Sequence, residues 1–180
     1  MTAVKPTTYR RHGLFPRVEQ FVATLTHRHS DEIDQRLQAL LGDDAQWRLV
    51  ARLAPYDRTH HLQVHDLLVA RGCTDPDLLR AALLHDVGKA RGRRRVCRWH
   101  RVARVVGRWV SPRLWRRLSH TPNRVTLGLY LTEHHARLGA ASVRAIGVSE
   151  RCCNLIARHE DPQPTGDALL DALIAADEEA

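Results

Sequence analysis

Residues 79–89 read Leu-Arg-Ala-Ala-Leu-Leu-His-Asp-Val-Gly-Lys, an apolar helical run that ends in adjacent imidazole and carboxylate groups with Gly88 and Lys89 directly behind. A segment so rich in Leu and Ala is drawn into a core and takes His85 and Asp86 with it. Polar groups removed from water need partners. For an ionised carboxylate beside a His in a helix-packed interior, a divalent cation satisfies both. This stretch is the candidate active site, and the rest of the chain must fold so as to enclose it.

The pattern around it is helical. Residues 1–13 lack periodicity and read as a disordered tail. Residues 14–56 read as an N-terminal helical extension packed on the core. Pro16 opens one helix there, with Val18, Phe21, Val22 and Leu25 on one face. Ser30 caps a second helix that reaches Leu41, and a third covers about Ala45 to Leu53. Residues 57–180 form the main domain. Asp57 is expected to cap helix 58–71, Asp75-Pro76 to start helix 76–87, and Ser149 to cap 150–159. Further helices are expected from about Arg124 to His135, from Leu138 to Ile146 and from about Asp167 to Asp177. No stretch alternates as a strand would, so the expected fold is all-α, a bundle of eight to ten helices.

Periodicity brings other groups toward the central pair. Counting back four residues from Val64, which shares an apolar stripe with Leu67 and Leu68, places His60 on the inward face, with His61 as the alternative one residue on. The last helix, anchored by Leu170, Leu173 and Ile174, carries Asp177. Two imidazoles and two carboxylates suit a divalent ion from the set Mn, Fe, Co, Ni, Zn and Mg, with water filling the open positions. Such an ion acidifies water and polarises a phosphoryl oxygen, and Asp86 is placed to serve as proton acceptor as well as ligand. His65-Asp66 is a rival His-Asp dipeptide. It lies mid-helix off the apolar face with no Gly-Lys behind it, so it is expected at the surface, as are His12, His27, His29, His100, His120 and His134.

The segments His60-His61-Leu62-Gln63-Val64, Leu83-Leu84-His85-Asp86-Val87-Gly88-Lys89 and Ala175-Ala176-Asp177 together resemble the HD-domain superfamily of metal-dependent phosphohydrolases. The resemblance spans about residues 57 to 177. It implies an all-helical core in which His60, His85, Asp86 and Asp177 hold a metal. Asp86 and Lys89 would act in catalysis, with Lys89 facing the phosphate. His135-Ala136-Arg137-Leu138-Gly139 and His159-Glu160 resemble positions that bind a second metal or the substrate in some branches; otherwise His135 and His159 are helix-end histidines near water. Ala136 stands where related sequences often have Pro, and the glycine-rich tail motif of cyclic-dinucleotide hydrolases is absent, which argues against that role. The implied substrate is a phosphomonoester or phosphodiester, a nucleotide by preference, with one ion or two as cofactor. The competing reading is an inactive HD domain that binds a ligand or signals.

Composition decides less. The net charge is +8, carried by Arg because the only lysines are Lys5 and Lys89. Eleven arginines lie between Arg91 and Arg117, interleaved with Trp99, Trp109, Trp115 and several valines. The default reading is a solvated cationic face over a Trp and Val stripe that packs on the protein. A lid whose arginines reach substrate phosphates comes second, and contact with nucleic acid or an anionic membrane is a less favoured third. Cys73, Cys97, Cys152 and Cys153 show no CxxC spacing and read as small buried hydrophobes. With no apolar run of spanning or signal length, a cytoplasmic, soluble protein is expected.

Overall fold

The computed structural model describes residues 31–180 apart from Arg93, Cys97 and Arg124. The expected tail, the helix after Pro16, the Ser30 cap and His12, His27 and His29 fall outside these residues. The chain is all-α. Among the described residues nine α-helices run in order: α1 Asp31–Leu41, α2 Asp44–Val50, α3 Pro55–Ala70, α4 Pro76–Leu84, α5 Arg98–Val110, α6 Pro112–His120, α7 Leu127–Arg144, α8 Glu150–Arg158 and α9 Ala168–Glu179. A 3-10 turn, Val87–Lys89, follows α4, and a two-stranded antiparallel ribbon pairs β1 (Ala90–Arg91) with β2 (Arg94–Arg95).

Local chemistry sets the helix starts. The Asp43 and Asp75 side chains accept from Gln46 N (2.8 Å) and Leu78 N (2.9 Å), and Ser149 Oγ accepts from Cys152 N (3.1 Å). Each satisfies a backbone donor that the first turn leaves over. Three expectations need correction. Helix α3 begins at Pro55 with Ala54 at its N-cap, so Asp57 lies in the first turn and is buried rather than capping. Helix α4 stops at Leu84, and His85 is its C-cap. Finally, α7 runs unbroken where two helices were expected, since nothing between His135 and Leu138 breaks a helix.

One hydrophobic cluster joins Leu37 and Leu41 of α1 and Val50 of α2 to Val64 and Leu68 of α3. It continues through Leu78 and Leu84 of α4, Val143 of α7, Leu155 and Ile156 of α8, and Leu170 and Leu173 of α9. Helix α4 is central, packed by α3, α8, α9 and α1, while the 3-10 turn lies against α7. Cys152 and Cys153 are buried and Cys73 is half-buried, all three as free thiols.

The cap of α9 matters because this helix brings Asp177 into the interior. Asp167 accepts from Leu169 N (3.2 Å) and Leu170 N (3.4 Å) and pairs with both guanidinium nitrogens of Arg151 at 2.6 and 2.7 Å. Arg151 holds its pKa down to about 2, with the backbone donors assisting against a small desolvation cost. An unfolded Asp titrates near 3.9. The depressed folded value therefore contributes stability above about pH 4 that is lost as pH falls toward 2. Asp167→Asn is expected to flatten the fall in the urea midpoint over that window; a variant with the same slope as the parent would rule this out.

Candidate metal centre

Five helices converge around Asp86. His60 comes from the second turn of α3, His85 and Asp86 from the end of α4, His135 from the middle of α7, His159 from the C-cap of α8, and Asp177 from the last turn of α9. His85, Asp86, His135 and His159 are all at least nine-tenths buried, and His60 nearly so. These six residues form one cluster.

Three of the imidazoles are set in the same way. The Nδ1 of His85, His135 and His159 lies 3.0, 3.0 and 2.7 Å from the carbonyl oxygens of Ala82, Thr132 and Ile156, each three residues earlier. A carbonyl only accepts, so each Nδ1 must carry a proton, and each Nε2, when its ring is neutral, presents a lone pair to the cluster. This arrangement is typical of histidine ligands, whose second nitrogen is held by an outer partner.

The lone pairs meet further acceptors. Asp177 Oδ1 lies 2.7 Å from His60 Nε2 and 3.2 Å from His85 Nε2, and Asp86 Oδ2 lies 3.5 Å from His85 Nε2. On the other side, Asp86 Oδ1 faces His135 Nε2 at 3.3 Å and His159 Nε2 at 3.8 Å. His85 Nε2 and Asp86 Oδ1 are buried with no hydrogen-bond partner. Converging carboxylate oxygens and imidazole lone pairs repel unless a proton or a cation lies between them. His60, His85 and Asp86 make one group with the spacing of metal ligands, and Asp86, His135 and His159 make a second. Asp86 belongs to both, one oxygen toward each side.

The electrostatics agree. Burial disfavours charging His85, yet Asp86 and Asp177 override it and push its pKa up to about 10, so this side draws in positive charge. Burial also opposes ionisation of Asp86 and Asp177, but Lys89 and His85 hold Asp86 well below the usual carboxylate range, and His85 with His60 does the same for Asp177. Burial, aided by Lys89, drives His135 down to about 3, and burial with His85 lowers His159; both stay neutral, the form in which imidazole binds a metal.

The expected residues thus come together, and His60 rather than His61 takes the first position. His61 is fully buried behind the cluster. Its ring centroid is 4.7 Å from that of His85, neither nitrogen has a hydrogen-bond partner, and burial holds its pKa well below normal. Lys89 Nζ sits on Asp86 Oδ2, at the edge of the site. The rival pair His65-Asp66 plays another part. Arg36 of α1 clamps Asp66 with two bonds of 2.9 Å, and His65 is buried rather than exposed. His100 is also buried, against Gly128 of α7, whereas His120 is exposed as expected and His134 is half-buried with Nε2 3.2 Å from Ser119 O.

One contact was not visible in the sequence. Arg104 of α5 reaches Glu160 Oε1 at 2.5 Å, and that oxygen lies 3.9 Å from His135 Nε2. The arginine-rich helix therefore lies beside the His135 and His159 half of the cluster. No helix among the described residues is long and apolar enough to cross a membrane. No protein-family model matches the chain, and no curated protein or solved structure matches it.

Proposed function

We propose that this chain is a metal-dependent phosphohydrolase of the HD type, cleaving a phosphomonoester or phosphodiester, with nucleotides the first class to try. The observation that carries the reading is the shared carboxylate: Asp86 belongs to two groups of possible metal ligands, one with His60 and His85 and one with His135 and His159, and its two oxygens face His85 on one side and His135 and His159 on the other. A divalent ion held there supplies Lewis acidity, acidifying water and polarising a phosphoryl oxygen.

The chain's own groups divide the remaining work. His60, His85, Asp86 and Asp177 hold one position, and Asp86 with His135 and His159 holds a second. The backbone carbonyls of Ala82, Thr132 and Ile156 keep three of these rings in the binding tautomer. Lys89, within reach of Asp86, offers a cation to the phosphate and offsets charge that develops on it. Arg104 keeps Glu160 ionised beside His135, and Glu160 can orient a water or accept a proton at the edge of the site. The enclosing helices α4, α7 and α8 exclude bulk water, which strengthens each of these interactions.

The test is a panel of phosphomonoesters, phosphodiesters and nucleotides offered to the purified protein with each divalent ion in turn. Turnover that requires the ion and disappears with chelator is expected. An ion bound tightly with no hydrolysis of any panel member would favour the ligand-binding reading instead.

A further inference from the structure

Helix α5 is built inside out. On a helical wheel Trp99, Val102, Val105, Val106, Trp109 and Val110 form one stripe, and His100, Arg104 and Gly107 lie on the opposite side. The protein takes the polar side. His100 packs on Gly128, Arg104 pairs with Glu160, and Trp115 of α6 lies against Gly107 so closely that a Cβ there would come within 2.6 Å of its ring. The apolar stripe is left in solvent: Trp109 is 85% exposed, Val105 63% and Trp99 57%. Helix α6, packed on α5, adds the exposed Leu114 and Leu118. The expected packing of the Trp and Val stripe on the protein is thus overturned. The reason is that α7 presents Gly128 and Glu133 to this helix, which suit His100 and Arg104 rather than valine.

The charge around the stripe is of one sign. Between Asp86 and Glu133 the sequence has no acidic residue and thirteen lysines and arginines, although the rest of the chain is net acidic. Arg108, Arg113, Arg116 and Arg117 are exposed along α5 and α6. A continuous apolar patch of this kind marks a contact surface. Its composition, with Trp and Val on one side and only Arg as flanking charge, is that of a helix lying in the interface of an anionic bilayer. A second copy would set one arginine rim against another, which is repulsive. Nucleic acid would meet valine where its phosphates need cations.

We propose that the Trp99 to Val110 face of α5, with α6 beside it, docks on an anionic lipid surface, independently of the metal centre. The test is co-sedimentation of the full chain with phosphatidylcholine vesicles, with and without phosphatidylglycerol, beside the double variant Val106→Ser/Trp109→Ser. Both substitutions are at exposed positions away from the cluster, so metal content and thermal melting should match the parent. Expected are binding that needs the anionic lipid, weakens with added salt, and drops roughly tenfold or more in the double variant. Equal binding to neutral vesicles, or binding unchanged in the variant, would overturn it. So would failure of the parent to bind vesicles. That result would be joined by a dimer in sedimentation velocity that the variant dissolves if a second copy covers the face, or by binding gained only on removing residues 1–30 if that segment does. Retention of a duplex oligonucleotide in place of vesicles would overturn it equally.

Discussion

Asp86→Asn is expected to lower the proposed metal-dependent phosphoester hydrolysis by about 10³-fold or more, the order of several kcal/mol that a metal ion contributes to a transition state. The substitution keeps the volume of the side chain and removes its charge. Because the two oxygens of Asp86 face His85 on one side and His135 and His159 on the other, both ligand groups lose a carboxylate together, the first keeping only Asp177. Lys89 also loses its partner. His135→Ala, which touches only the second group, should cost less and leave the His60 side able to hold its ion. Steady-state kinetics and bound metal, measured on both variants, check this. An Asp86→Asn protein that kept its metal and lost under tenfold in rate would show that Asp86 is not the shared ligand.

Gly88→Ala is the second large effect, and here the fold is at stake. A Cβ at Gly88 would overlap the carbonyl oxygen of His135 and come within 2.6 Å of Gly139 N, so it meets the backbone of α7 rather than a side chain that can swing away. The opposing position is also a glycine, and a Cβ on Gly139 would lie 3.2 Å from Gly88 N. This close approach of the 3-10 turn to α7 holds His85-Asp86 against His135. Forcing it open should cost about 3 kcal/mol, the upper range for overpacking, and lower Tm by roughly 6 to 12 °C for a chain of this size. Metal affinity should fall with it, because His135 moves relative to Asp86. A variant melting within about 2 °C of the parent would show that the turn yields and that the glycine pair is not the fulcrum.

Much of this was legible before the fold was known, for identifiable reasons. Asp75-Pro76 announces a helix start because the Asp side chain satisfies a first-turn amide and Pro has no amide to leave over. His60 followed from its spacing to Val64, and Asp177 from the apolar anchors Leu170, Leu173 and Ile174 on the same helix. The end of α4 at Leu84 is not marked locally, because Gly88 is the first residue after Pro76 that disfavours a helix. Its actual role is to let two backbones touch, which depends on Gly139, far away in sequence. The ribbon at Ala90 to Arg95 had no alternation to betray it; it is held by pairing and by a bond from Val96 N to Lys89 O of 2.8 Å. The stripe on α5 was visible, but periodicity defines faces without saying which one the protein will cover. That choice was made by Gly128, Glu133 and Glu160, none of them on α5. His65 likewise lies off the apolar stripe of α3 and is buried all the same, its Nδ1 3.1 Å from Asp66 Oδ1, the carboxylate that Arg36 of α1 clamps.

The proposal that the Asp86 cluster holds a divalent metal has its most direct test in the metal content of the wild-type chain by mass spectrometry, as isolated and after reconstitution with Mn, Fe, Co, Ni, Zn and Mg in turn. It predicts about one to two equivalents of at least one of these ions, retained through gel filtration and lost in Asp86→Asn, as expected for buried imidazole and carboxylate donors. A wild-type protein that folds, melts cooperatively and takes up none of the six would contradict it.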